Sequence, residues 1–131
     1  MMDTSTKRIL AVEDDSSLRK MLELVYRDEG YQIDTAADGS EAFELFQQSS
    51  YDLIVTDLYM PNMNGFELIS HCLSRNPTVK TILLSGGGKD LVAEHGQKII
   101  QLAGQELTVD LFLKKPCELA ELLTATAKLL S

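Results

Sequence analysis

The chain has 131 residues, close to the commonest size of one domain, so a single domain over residues 1–131 with a core over about 8–129 is expected, and a second, output domain has no room. With 44% hydrophobic and 24% charged residues its composition is that of an ordinary globular protein, and no apolar run approaches the roughly 20 residues that span a bilayer. Twenty Asp and Glu against twelve Lys and Arg leave a net charge of -8, which argues against nucleic acid and membrane as partners and favours basic surfaces or cations.

The N-terminal residues 1–6 lead into an apolar segment without a secretory cleavage pattern, so a cytoplasmic protein is expected. Ile9-Leu10-Ala11-Val12 reads as a first buried strand. Leu18, Met21, Leu22 and Val25 then recur at helical spacing, with Gly30 placed as a helix terminator. Residues 31–35 alternate polar and apolar, as a strand with one exposed face does, which suits the edge of a sheet. A second helix is marked by Ala42, Leu45 and Phe46 behind the capping pair Asp38 and Glu41. Residues 53–55 form a third strand, and Phe66, Ile69 and Leu73 a third helix after an Asn62-Met63-Asn64-Gly65 turn. A fourth strand covers 81–84, a fourth helix is predicted from Val92, Gly96, Ile99 and Ala103, and a fifth strand covers 111–113. Leu119, Leu122, Leu123, Ala127 and Leu130 complete a fifth helix.

This (βα)5 alternation predicts an α/β protein with a doubly wound parallel sheet of flavodoxin-like order 2-1-3-4-5; two-layer βαβ arrangements are the rival. In such a sheet the ligand crevice lies beyond the carboxyl ends of the strands, where strand order reverses. The residues just past those ends are Glu13-Asp14-Asp15, Asp57, Ser85-Gly86-Gly87-Gly88 and Lys114-Lys115-Pro116. Crowded carboxylates repel one another unless a cation resolves them, and Mg²⁺ (or Mn²⁺) held by Glu13, Asp14 and Asp57 would do so; Asp14, Asp15 and Ser16 as helix caps is the plainer reading. A carboxylate beside a metal and an ammonium is also a nucleophile toward phosphorus, with Asp57 the candidate, Lys115 the cation and Ser85 a hydroxyl donor.

The set Val12-Glu13-Asp14-Asp15-Ser16, Asp57-Leu58-Tyr59-Met60-Pro61-Asn62-Met63-Asn64-Gly65, Ser85-Gly86 and Phe112-Leu113-Lys114-Lys115-Pro116 resembles the receiver domain of two-component response regulators over about residues 8–129. The resemblance implies that Asp57 accepts a phosphoryl group from a phosphohistidine on a sensor histidine kinase or a histidine phosphotransfer protein. It implies that Glu13, Asp14, Asp57 and the Tyr59 backbone carbonyl hold Mg²⁺, and that Lys115 pairs with the phosphoryl group, its bond to Pro116 being cis. It implies that Ser85 and Phe112 form the switch, read by an unknown downstream protein. Three features depart from the usual pattern. Gly86-Gly87-Gly88 follows Ser85, the stretch from Gly88 to Asp110 is longer, so that the fourth helix is extended or its loop enlarged, and Phe112 replaces a tyrosine.

Other readings compete with the switch. A phosphorylation-independent protein-interaction scaffold would use the acidic face alone. An aspartate-nucleophile phosphatase needs Asp-x-Asp, which Asp57-Leu58-Tyr59 lacks, and a flavin module needs a phosphate loop where three acids stand. Gly86-Gly87-Gly88-Lys89 does not have the spacing of a phosphate loop. His71 and His95 read as surface or boundary residues, and Cys72 and Cys117, without companions at metal-ligand spacing, as reduced thiols with no chemistry.

Overall fold

Apolar runs at β period and helices at 3.6 period assemble, in a computed structural model, into one parallel sheet clad on both faces. The structure describes residues 6–85, 91–94, 97–102 and 104–131, with 91–94 and 97–102 described by backbone pairing. The elements are β1 (Arg8–Val12), α1 (Ser16–Asp28), β2 (Gln32–Ala36), α2 (Gly39–Gln48), β3 (Leu53–Asp57), α3 (Gly65–Arg75) and β4 (Lys80–Ser85). They continue with β5 (Leu91–Glu94), β6 (Gln97–Leu102), β7 (Gln105–Val109), β8 (Leu111–Lys114) and α4 (Leu119–Leu130).

The main sheet runs β2-β1-β3-β4-β8, all parallel, which is the expected flavodoxin-like order with β8 as fifth strand. Alternate side chains sort its two faces. Ile9, Ala11, Ile33, Leu53, Val55, Ile82 and Leu84 meet Leu22 and Tyr26 of α1 and Leu122 of α4. Leu10, Val12 and Ile54 meet Ala42 and Phe46 of α2 and Leu68 and Cys72 of α3. β2 is an edge, as its alternation predicted. Local chemistry sets the helix ends: Asp15 caps α1 through Ser17 N and Leu18 N, Asp38 caps α2 through Glu41 N, and Asn64 with Glu67 forms a capping box on α3. Gly30 takes the positive φ, +94°, that ends α1.

One expectation is overturned. The predicted fourth helix is an antiparallel sheet β5-β6-β7, with Val92 on β5 and Ile99 on β6; Gly96 and Ala103 lie outside the described residues, as do Gly86-Gly87-Gly88 and His95. Thus the lengthened 88–110 region is neither a longer helix nor an enlarged loop. Glu94 pairs with Gln97 and Leu102 with Gln105, leaving two positions between partners in each hairpin, and the second is a glycine in both, Gly96 and Gly104. Glycines between the paired strand ends, not helical spacing, decide this segment. β7 covers the sheet on the α3 side, Val109 and Leu107 packing with Leu83, Phe66, Ile69 and Leu58. Where β7 passes into β8, Asp110 Oδ2 accepts from Thr81 N at 2.9 Å and Asp110 N donates to Thr81 Oγ1 at 2.9 Å. Among the described residues no helix is long and apolar enough to cross a membrane.

At the amino ends of the strands, Asp34 Oδ2 accepts from Tyr51 OH at 2.7 Å and from Arg8 Nη2 at 2.8 Å and Nε at 3.1 Å. Partial burial raises the Asp34 carboxyl, but these donors outweigh it and hold the group below its ordinary value. A depressed folded-state value stabilises above pH 4 or so and is lost on acidification. Urea unfolding of the parent protein from about pH 5 down to about pH 2 is therefore expected to show a steeper loss of stability than Asp34→Asn does. Gly65 has no room for a side chain, since a Cβ there would run into the Asp57 carbonyl oxygen. Gly65→Ala is expected to cost on the order of 2 kcal/mol in the same assay.

Candidate functional site

The hydrogen-bond ladder of the parallel sheet runs one residue past several strand ends and so fixes the first residue of each loop. Glu13 N donates to Ala36 O at 3.0 Å, Leu58 N to Leu84 O at 3.1 Å and Lys115 N to Ser85 O at 2.6 Å. At this end of the sheet a cleft of about 210 Å³ is lined by Asp14, Asp57, Leu58, Tyr59, Leu84, Ser85 and Lys115. Lys115 follows β8 and precedes a cis Lys115–Pro116 bond. Its Nζ lies 2.9 Å from Asp57 Oδ1 and 3.2 Å from Glu13 Oε1. Glu13 and Asp57 are 1% and 5% exposed, so the ammonium balances two carboxylates that water barely reaches.

The electrostatics follow from that burial. Asp57 is raised to about 7, first by desolvation and further by the Glu13 carboxylate, against the lowering effect of Lys115. Burial opposes the Lys115 charge, yet Asp57 and Glu13 hold the ammonium above its ordinary value. One carboxylate oxygen from each of Glu13, Asp14 and Asp57 lies within 4.8 Å of the others. Although Lys115 is close, Asp57 Oδ1 is a buried acceptor with no aligned hydrogen-bond donor. Three carboxylates facing one lysine, all oxygen donors and one of them a buried oxygen without an aligned donor, fit a hard divalent cation such as Mg²⁺ or Mn²⁺.

The expected residues therefore converge, with Asp14 exposed at the rim and Ser85 buried at the end of β4. The Tyr59 side chain is 61% exposed beside the cleft. Phe112 stands apart, on β8 and half-buried against the cluster of Leu58, Phe66, Ile69, Leu83 and Val109. Asp15 serves as the α1 cap, the plainer of its two readings. His71 is exposed and packs its ring on Phe43. Cys72 is buried and Cys117 half-buried, both free thiols; burial pushes both above their ordinary value, Cys72 to about 12. Sequence reading passed over Arg19, whose guanidinium donates to the Glu13 main-chain oxygen at 2.8 Å. A cation in the first turns of a helix, where the dipole disfavours it, was the available signal.

The residue pattern of the response regulator receiver domain matches residues 9–127. The chain belongs to this receiver family. The probable transcriptional regulator ycf27 of Cyanophora paradoxa is 34% identical over 92% of this chain and 47% of its own length. The receiver spans about half the length of the curated relatives it matches. Among solved structures, the chemotaxis response regulator CheY4 of Vibrio cholerae superimposes with TM-score 0.78 at 28% identity, covering 96% of this chain and 100% of that one. The response regulator TrrA of Thermotoga maritima, solved in complex with Mg²⁺-BeF, has TM-score 0.76 at 30% identity, covering 95% of this chain and 100% of that one.

An acid held near 7 in the folded receiver binds more protons than in the unfolded chain between about pH 4 and 7, so its ionisation costs stability as pH rises through that range. In metal-free protein, Asp57→Asn is expected to raise unfolding stability at pH 8 by on the order of 2 kcal/mol and to have little effect near pH 4. Urea titrations at the two pH values measure the difference.

Proposed function

We propose that Asp57 is the phosphoacceptor of a two-component signalling switch, its donor the phosphohistidine of a sensor histidine kinase or histidine phosphotransfer protein. The observation that carries this reading is the buried Asp57 carboxylate, 2.9 Å from the Lys115 ammonium in an acid-lined cleft open at the carboxyl end of the sheet. A carboxylate oxygen of Asp57 attacks phosphorus, the phosphorus–nitrogen bond breaks, and the imidazole leaves with that electron pair, so the phosphoryl group becomes an aspartyl phosphate. Glu13, Asp14, Asp57 and the Tyr59 carbonyl would hold Mg²⁺ or Mn²⁺, which when bound would supply positive charge to the transferring oxygens. Lys115 pairs with a phosphoryl oxygen, and the Ser85 hydroxyl, at the end of β4, donates to another.

The new group carries about 1.5 to 2 negative charges and three acceptors where one carboxylate stood. Drawing Ser85 inward strains the β4 end, and β4 pairs directly with β8, Leu83 opposite Phe112. Phe112 has no hydroxyl, so its part of the switch is packing against the cluster that holds Leu83 and Val109. A downstream protein reads that change, and the receiver turns over no external substrate. The relatives' names include DNA-binding regulators; the -8 charge of this chain argues against such a contact by the receiver itself. A phosphorylation-independent scaffold does not account for a buried carboxylate and lysine at the floor of the cleft.

Incubation with acetyl phosphate and Mg²⁺ is expected to add one phosphoryl group by intact mass in the parent protein and none in Asp57→Asn or with chelator. No addition to the parent, repeated with a phosphorylated kinase domain as donor, would leave the scaffold in its place.

A further inference from the structure

Arg19 is the fourth residue of α1, and its half-buried side chain reaches back over the Asp15 cap to the loop ahead of the helix. Nη1 donates to the Glu13 main-chain oxygen at 2.8 Å and lies 3.4 Å from the Asp14 main-chain oxygen. These are successive carbonyls of the two residues whose carboxylates converge with that of Asp57. The rest of the loop is held from other directions: Glu13 N bonds to β2, and Asp15 N donates to Glu13 Oε2 at 3.1 Å. A guanidinium is always charged and gains nothing from the helix N-terminus, so its place there is set by these carbonyls.

We infer that Arg19 is a positioning residue for the cation site. By holding the Glu13 and Asp14 carbonyls it fixes the direction of that stretch of backbone, so the two carboxylates are presented together. Its charge offsets repulsion among three acids while leaving their oxygens to a cation, because it is spent on main-chain oxygens. Groups that orient metal ligands from behind commonly change affinity by about 10- to 100-fold when removed.

The inference rests on the proposed reading of Glu13, Asp14 and Asp57 as a cation site, and the test separates the two. Binding of Mn²⁺ alone is followed by loss of the free-ion electron paramagnetic resonance signal, in the parent, Arg19→Ala, Arg19→Lys and Asp14→Asn. Arg19→Ala is expected to weaken Mn²⁺ binding about ten-fold while the metal-free melting temperature moves by only a few degrees, and Arg19→Lys, which keeps a charged donor, is expected to recover most of the loss. Should Arg19→Ala fail to fold, Arg19→Gln is measured in its place against the same threshold. Affinity within about two-fold of the parent overturns the inference, as does a loss that Arg19→Lys leaves unrecovered, which marks general damage to the loop. A parent that takes up no Mn²⁺ overturns the cation site and this inference with it; a parent that binds, with Asp14→Asn weakened and Arg19→Ala unchanged, overturns the inference alone.

Discussion

Two carboxylates that water scarcely reaches, Glu13 and Asp57, are tolerable together because one ammonium, Lys115 Nζ, stands 3.2 Å and 2.9 Å from them. The three groups come from three strand ends, and Lys115 is 102 residues from Glu13 in sequence. What brings them together is register. With Ser85 opposite Lys114 in the β4–β8 pairing, the next residue donates its N–H to the Ser85 carbonyl, and its side chain turns toward the acids. A slip of one residue would put Lys114 there and send Lys115 to the other face, and it would turn every apolar side chain of β8 to the wrong face of the sheet. The apolar alternation of β1, β3, β4 and β8 between clusters on the two faces of the sheet guards against that slip, so packing on the faces sets the charge balance at the end.

That dependence explains why so much of the site was legible beforehand. In a parallel sheet the chemistry gathers just past the strands, and buried strands announce themselves as short apolar runs, so their first polar followers are readable without any knowledge of contacts. Residues such as Arg19 and the Arg8–Asp34–Tyr51 tie follow no period and border no strand end on the cleft side. Arg8, Asp34 and Tyr51 meet across three strands at the opposite end of the sheet, and a charged side chain on an edge strand reads from sequence as a solvated one.

The 88–110 segment failed for a different reason. Val92 and Ile99 fit a helical face, but they also fit strands of four to six residues, and a short apolar pattern does not separate the two. The decisive signals were the neighbouring β-branched pair Ile99-Ile100 and two glycines eight residues apart, Gly96 and Gly104, which suit two-residue hairpins and weaken a helix. The expectation that parallel strands are joined by helices overrode them. A crossover needs only enough chain to pass over the sheet, and here a meander makes the passage from β4 to β8.

The meander also resolves why β8, an edge strand, reads as continuously apolar. Leu111 and Leu113 pack toward α1 and α4, while Phe112 faces the cluster that Val109 and Leu107 of β7 complete, so both sides of this edge are covered. The same cluster contains Leu58, the residue after Asp57, whose N–H is bonded to β4 and whose carbonyl accepts from Gly65 N at 2.7 Å. Leu58 thus has no slack on the backbone side, and a close-packed interior passes displacement on instead of absorbing it. In this receiver, therefore, the strand that stands in the place of a helix shares one buried cluster with the residue after Asp57, and the edge strand packs its Phe112 against the same cluster.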